Sequence, residues 1–462
     1  MMAEKGDFDT GAAPFEKDWT KGGITRNLLS LGWPMMVTEG LYMIGISIDM
    51  VWVGRLGVAP MAAIGVAGIF AGFQMMIMTG LGIGTRAVVA RFVGAGDISG
   101  ANHAAQQAFI VSVIYTIVMA VLGITLAEPI LTLMGFAPDV VALGADYMRI
   151  MFGYGSITVA FWYMGYSIMQ ASGDAMTPLW IIVFYRVLHV PLCYALVLGA
   201  WGLPQMGSNG AAMANVISRG VGAVLVMVVL FGGRSRLRLT MRNFRVDFGM
   251  VWRMVKIGIP ASVMGVQRSL SMMVIATLMA PFGTTAVAAH SVQQRVEMLL
   301  MPVNLGLGMA AGVLAGQNLG AEQPQRAERS SWQAAGISTA LMIICSIAVL
   351  LLAENIVRIF NSEPEVVSMT STFLRIAVAG YVVLGIGNVL SQALSGTGDT
   401  IPPMVISLVA SWAVTLPLAY FLPRVMDLGV LGVRWGLVAG LLLQAVASAV
   451  YFRLGRWKQK RV

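Results

Sequence analysis

The segment Pro191-Leu192-Cys193-Tyr194 recurs 226 residues later as Pro417-Leu418-Ala419-Tyr420. Two further proline pairs keep the same offset: Pro34 with Pro260, and Pro138 with Pro364. The chain has only 17 prolines in 462 residues, so chance would give well under one such pair. The second half therefore repeats the first, and repeats in a membrane chain are typical of transporters whose substrate site lies between them.

Composition indicates an all-α membrane protein. Hydrophobic residues make up 58% of the chain and charged residues 11%, whereas a soluble chain carries about a quarter charged residues. Apolar runs long enough to cross a hydrocarbon core of ~30 Å recur throughout, for example Phe109–Leu126 and Leu437–Phe452. The first ~25 residues lack the apolar core of a signal peptide, which favours a retained polar tail.

The placement of the net charge of +9 favours a membrane protein over a nucleic-acid-binding one. Basic residues concentrate between the repeats and at the end of the chain, and acids concentrate in other loops. That asymmetry follows the positive-inside rule and predicts a multi-pass protein of the plasma (inner) membrane with both termini cytoplasmic. The basic sets are Arg234, Arg236, Arg238, Arg242, Arg245, Arg253 and Lys256, then Arg453, Arg456, Lys458, Lys460 and Arg461; the acids are Glu128, Asp139, Glu354, Glu363 and Glu365.

Both halves are then expected to enter and leave on one side, with about six spans each. This predicts about twelve transmembrane helices in two six-helix lobes, related by a pseudo-two-fold axis along the membrane normal. The predicted divisions are an N-terminal tail 1–26, a first lobe 27–232, a basic linker 233–253, a second lobe 254–455 and a basic tail 456–462.

Charged residues inside the spans are the candidate functional residues, because each is costly in a bilayer. Glu39, Tyr42, Ile46 and Asp49 have the spacing of one helix face, so the two carboxylates are candidates for binding a proton or another cation. Their shifted positions hold Gly265 and Ile275, so ion chemistry should favour the first half. The alternative for each acid is a fixed ion pair or hydrogen bond.

Arg186 and His189, in the fifth span, could each pair with Asp49 if their helices are neighbours. Histidine changes charge near neutral pH, although a packed, hydrogen-bonded histidine is the commoner case. In the second half, Gln293, Arg295 and Glu297 form a polar patch, in a helix expected to begin at His290. The predicted substrate-cavity residues are Tyr42, Gln74, Tyr163, Arg268, Gln293, Arg295 and Glu297; a tyrosine ring there would stack on a cationic substrate.

Nothing in the sequence favours an enzyme, a cofactor or a metal. The glycines of Gly80-Leu81-Gly82-Ile83-Gly84 lie inside a span with no preceding strand, so they do not form a dinucleotide-binding loop. In the absence of a nucleotide-binding domain, uphill transport would have to be driven by an ion gradient.

Several segments, in the right order, resemble the multidrug and toxic compound extrusion (MATE) transporters. The resemblance implies two six-helix lobes around a central cavity, alternating access, and export of amphipathic, often cationic compounds in exchange for protons or sodium. It also implies a role in cation coupling for Asp49. The segments are Ile48–Gly57, Val93–Asp97, Ser172-Gly173-Asp174, Asn209–Ala212, Gly316–Ala321 and Ser395–Thr400.

The chain departs from subgroups of the family at three places. One subgroup has acids in the seventh and tenth helices, where this chain has Gln267-Arg268 and the acid-free segment Gly380–Asn388. Another subgroup has Asp-Pro in the fifth helix, where this chain has Val190-Pro191. A fifth-helix partner of Asp49 would then be His189 or Arg186. We expect a cation-coupled antiporter, with protons favoured over sodium, that acts as a monomer in the lipid bilayer on a small cationic organic substrate. The alternative is a flippase of a lipid-linked precursor, whose phosphates would suit Arg86, Arg186, Arg268 and Arg295.

Overall fold

The computed structural model describes residues 18–241 and 244–460, without the side chains of residues 44–47, 50, 58 and 59. The remainder of the predicted N-terminal tail, Arg242 of the linker, Arg461 of the C-terminal tail and the side chain of Ile46 lie outside this description. The described chain is helical, which confirms the predicted fold class.

The first half forms six long helices, and we call them the N lobe. The second half forms the C lobe, in which one span is divided into α11, a π-helical turn at Val409–Thr415, and α12. Among the described residues, ten helical segments are long and apolar enough to cross a membrane; α1 and α4 complete the two sets of six. The bounds are α1 Ile24–Val53, α2 Val58–Gly94, α3 Ile98–Leu133, α4 Pro138–Ser172, α5 Met176–Leu198, α6 Gly207–Phe231, α7 Phe248–Met279, α8 Thr284–Gly320, α9 Pro324–Arg358, α10 Pro364–Gly396, α11 Ile401–Leu408, α12 Leu416–Val425 and α13 Val430–Leu454.

Local sequence signals set several helix ends. The Asp97 side chain accepts a hydrogen bond from Gly100 N and caps α3, and Pro138 and Pro364 occupy the first turns of α4 and α10, where a missing N–H costs nothing. Helix α8 begins at Thr284 rather than His290. His290 is therefore already about 1.7 turns inside the helix, because Gly283 ends the connection from α7.

The lobes meet through a symmetric set of close contacts. A β-carbon on Gly80 of α2 would collide with the backbone of Ser262 on α7, and one on Gly306 of α8 would collide with the backbone of Met36 on α1. Each contact becomes the other when 226 is added to or subtracted from its residue numbers. Small residues at these crossings let the helices approach closely, so both halves of the repeat specify the same packing.

The basic linker and tail share one end of the molecule, which we call the basic end. Gln107 near the start of α3 donates to Arg245 O at 2.8 Å, and His103 lies 3.3 Å from Asp247. Arg91 of α2 donates to Thr397 O and to Lys460 O of the tail, at 3.0 and 2.7 Å. The two lobes and the tail are therefore tied together at this end.

Candidate ion-coupling site and central cavities

Asp49 lies in the N lobe within a hydrogen-bonded cluster built by three helices. It is 8% exposed and His189 is fully buried. Asp49 Oδ1 lies 2.9 Å from His189 Nε2 on α5, and Oδ2 accepts from Asn215 Nδ2 on α6 at 2.7 Å. Cys193, one turn after His189, places its thiol 3.6 Å from Oδ1. With Ser218 of α6, these residues form what we call the Asp49 cluster.

The hydrogen bonds around His189 define where its protons are. Ser218 Oγ lies 2.6 Å from Ala214 O, so its single proton goes to that carbonyl, and it accepts from His189 Nδ1–H at 3.2 Å. The Nε2–Oδ1 contact then requires one more proton. That proton makes either a neutral imidazole facing a carboxylic acid or an imidazolium facing a carboxylate.

Losing this proton would leave a carboxylate facing the imidazole lone pair, unless Ser218 and the ring rearranged. The presence or absence of this proton on the Asp49–His189 pair would therefore affect the contact between α1 and α5. Tyr147 of α4 and Arg219 of α6 are the other titratable side chains that interact electrostatically with Asp49. Asp49, His189 and Cys193 also bring ligand-type atoms within 4.8 Å of one another. Both carboxyl oxygens of Asp49 already take part in hydrogen bonds within the cluster.

Arg186 does not pair with Asp49. It donates to Tyr42 O at 3.1 Å, and its guanidinium lies over the rings of Tyr42 and Tyr185 at 5.6 and 5.2 Å. Of the two expected partners, the structure therefore selects His189, because three residues along α5 rotate the side chain towards a different neighbour.

Glu39 lies at a different site from Asp49. Ten residues of helix separate the two carboxylates by about 15 Å along α1. Glu39 accepts from the Tyr166 hydroxyl at 3.1 Å and lines a cavity of about 190 Å³ between the lobes. Tyr42, Tyr163 and Arg86 also line this interface cavity, and Arg86 donates to Gln170 Oε1 at 2.8 Å.

A second cavity, of about 270 Å³, lies mainly in the C lobe. Three predicted cavity residues line this C-lobe cavity: Arg268, Gln293 and Glu297. Glu297 Oε1 accepts from Gln293 Nε2 at 2.8 Å and from the Tyr381 hydroxyl at 3.0 Å. The two cavities share four lining residues and so adjoin each other: Thr79, Ile83, Leu305 and Gln392.

Two predicted cavity residues lie elsewhere. Arg295 is exposed and lies outside both cavity linings, because it is two residues from Gln293 and Glu297 and so points to the opposite side of α8. Gln74 is buried but lies outside both linings as well. The backbone carbonyl of Gln74 accepts a hydrogen bond from the Tyr115 hydroxyl.

Sequence reasoning missed Arg434, which is 2% exposed in the wall of the C-lobe cavity. It donates to His290 Nδ1 at 2.8 Å and lies over the Phe373 ring at 4.2 Å. The signal was present, since an arginine four residues inside an apolar span is as costly as the acids that were selected.

The chain matches known transporters over nearly its whole length. Multidrug resistance protein NorM of Burkholderia vietnamiensis is 30% identical over 418 residues, which is 88% of each chain. Probable multidrug resistance protein YoeA of Bacillus subtilis is 27% identical over 454 residues, which is 96% of each chain.

A structure described as the outward-facing conformation of a multidrug resistance MATE family transporter of the MOP superfamily shares the fold, with a TM-score of 0.88. At 22% identity, that alignment covers 94% of this chain and 96% of the other. A sequence model of the MatE family matches residues 34–195 and again 260–421, two ranges that differ by the offset of the internal repeat. The chain therefore belongs to the MatE family, whose members are transporters and not enzymes.

Proposed function

We propose that this protein is a cation-coupled antiporter, driven by protons rather than sodium, that exports amphipathic, cationic organic compounds by alternating access. The Asp49–His189 pair is the observation that carries the proposal. The carboxyl group and the imidazole are both buried, and they lie 2.9 Å apart between α1 and α5. Such a pair can bind and release a proton. The names of the NorM and YoeA relatives agree with export of drugs.

The ligand types of the Asp49 cluster favour protons over sodium. Hard cations are bound by several oxygen atoms from carboxylates, carbonyls and water. The groups nearest to Asp49 are instead an imidazole nitrogen, a thiol and an amide N–H donor. The amide N–H of Asn215 points at Asp49 Oδ2, where it would repel a metal ion. The same contact is compatible with an acid that exchanges protons.

The interface cavity supports binding of a cationic group. Glu39 supplies one negative charge, which Arg86 in the same lining offsets, and Tyr163 supplies an aromatic ring beside it. The carboxylate and the ring are the groups that would contact an organic cation. The neighbouring C-lobe cavity adds apolar wall from Met264, Met272 and Met301. Methionine side chains adapt to differently shaped ligands.

The lobes 27–232 and 254–455 would move against each other about the contacts near the basic end. We propose that this end is cytoplasmic, in a monomer of the plasma (inner) membrane, because it carries the linker 233–253 and the basic tail. Tags inserted at residue 240 and after Val462 should both be cytoplasmic. Tags on opposite faces would rule out the six-plus-six arrangement.

Purified protein in liposomes tests the transport proposal. A cationic dye is enclosed, and a proton gradient or a sodium gradient is imposed separately. We expect dye movement coupled to the proton gradient and none driven by sodium alone. Equal fluxes with and without gradients would contradict coupled antiport.

The alternative is a flippase of a lipid-linked precursor. It is favoured by three guanidinium groups along the two cavities, Arg86, Arg268 and Arg434, which would suit phosphate. Translocation of a polyprenyl phosphate between leaflets, without dye export, would select it.

A further inference from the structure

The C-lobe cavity carries an excess of positive charge. Its charged lining residues are Arg268, Arg434 and Glu297, which sum to one net positive charge. Neither guanidinium lies within salt-bridge distance of a carboxylate of the described residues, but Glu297 of the same lining attracts both of them from a greater distance. A bilayer-spanning protein ordinarily pairs such charges, and one carboxylate shared by two guanidinium groups leaves one positive charge in the cavity for a partner from outside the chain.

Arg268 is the group that such a partner would meet. Glu297 is already engaged by Gln293 and Tyr381, and Arg434 is engaged by His290. The hydrogen bond formed by Arg268 goes to the thioether of Met301 at 3.5 Å, and a thioether is a weak acceptor. Most of its N–H groups therefore remain available.

The rest of the cavity wall is rich in hydrogen-bond donors. Arginine only donates, so its bond to His290 Nδ1 means that His290 is neutral and carries its proton on Nε2. Four polar atoms of the lining residues lack hydrogen-bond partners. Three are donors, His290 Nε2, Arg434 Nε and Asn388 Nδ2, and one is an acceptor, Gln293 Oε1. Unpaired donors add positive potential to the wall, which further favours an anionic group.

We propose that Arg268 binds a carboxylate of the transported compound, so that the cargo is amphoteric. Its carboxylate would lie in the C-lobe cavity, and its cationic group would lie in the adjoining interface cavity near Glu39. This inference rests on the proposed transport function and specifies its substrate class. A guanidinium binds a carboxylate through two parallel hydrogen bonds, which orients the ligand as well as holding it.

Size favours a small amphoteric molecule over a lipid-linked one. The C-lobe cavity of about 270 Å³ is just below the range for drug-sized ligands, roughly 300–1,000 Å³. A flat aromatic body with one carboxylate and one cationic group fits the two adjoining cavities together.

A matched pair of dyes tests the proposal. Rhodamine B has a free carboxylate, and its ethyl ester has the same aromatic cation without that charge. Binding of each dye to the purified full-length protein is measured by fluorescence polarisation, and transport is measured separately in liposomes. The variants are Arg268→Gln, which removes the charge, Arg268→Lys, which keeps it, and Arg295→Gln, a control at an exposed arginine outside both cavities. Size-exclusion elution verifies that each variant is folded.

We expect Arg268→Gln to weaken binding of the acid at least tenfold and to leave the ester unchanged, with Arg268→Lys intermediate. Equal effects on both dyes, or no effect on either, would overturn the proposal. Displacement of the acid by a polyprenyl phosphate but not by a soluble carboxylate would overturn it in favour of a lipid cargo. If binding behaves as expected and no gradient drives transport, the proposed function fails while the site assignment stands.

Discussion

The Asp49 cluster in the N lobe and the equivalent position of the repeat in the C lobe differ in their side chains and in their packing. In the N lobe, Asp49, His189, Asn215 and Ser218 form a closed hydrogen-bonded cluster. The residues 226 positions later are Ile275, Thr415, Leu441 and Gln444, and all four line the open C-lobe cavity. The duplication thus kept the helices and their crossings but not the side chains, with a hydrogen-bonded acid in one lobe and a cavity in the other.

Backbone geometry differs at this location as well. Helix α5 runs without interruption past Pro191, whereas its counterpart contains the π-helical turn Val409–Thr415 before Pro417. Such turns are frequent at functional sites. Ala410, Ser411 and Thr415 of this turn line the cavity, so the turn contributes directly to the space that the N lobe lacks.

Moving the carboxylate to the mirrored location should have the largest effect. In the double variant Asp49→Ile with Ile275→Asp, the new acid lies opposite Thr415 and Leu441, which offer no imidazole and no amide. We expect gradient-driven dye export to fall to the level of empty liposomes. Ile275→Asp alone, which retains Asp49, is the control for folding. Restored export would show that position alone, rather than the hydrogen-bonding partners, makes the acid functional.

Removing the imidazole should have the next largest effect. His189→Gln keeps a polar group beside Asp49 but removes the second titratable member. We expect export to fall about tenfold, or ~1.4 kcal/mol, because the Asp49 carboxyl loses the imidazole that lies 2.9 Å from it. Gradient-driven export rates in liposomes test this, with Arg295→Gln, which lies outside both cavities, as the control. An unchanged export rate would exclude His189 from coupling.

Much of this comparison could be predicted from local sequence signals. The repeat, the basic end and the isolated charges in apolar runs identified the lobes, Asp49 and His189, because none of these signals requires knowing which helices are in contact. The choice between His189 and Arg186 required the rotation of α5. The separation of Glu39 from Asp49 and the outward direction of Arg295 depended on which neighbour each helix face meets. The vacant hydrogen bonds of Arg268 required the tertiary contacts themselves.

Neutralising Glu39 should have a smaller effect than either change in the Asp49 cluster. Glu39→Gln keeps an acceptor for the Tyr166 hydroxyl and removes one negative charge from the interface cavity. We expect weaker apparent affinity for a cationic dye, about threefold or ~0.7 kcal/mol, with coupling to the proton gradient retained. Dye concentration dependence measures this. Loss of coupling equal to that of Asp49→Asn would return Glu39 to the proton site.

Arg295→Gln should have the smallest effect. Its side chain is exposed and outside both cavities, unlike Arg268 one helix away. We expect transport rates within about twofold of wild type, since surface substitutions usually change free energies by no more than ~0.5 kcal/mol. A selective loss of transport would place Arg295 in the cargo path after all.

The central claim is that a proton on the Asp49–His189 pair drives export, and Asp49→Asn tests it most directly. An amide of the same shape cannot lose a proton, so the variant should fold normally yet be unable to couple. The measurement is dye flux in liposomes, with an imposed proton gradient and, separately, with dye exchange at equal pH on both sides. We predict that gradient-driven export is abolished, whereas dye binding to the purified variant persists. Export by Asp49→Asn with the gradient dependence of wild type would contradict the account.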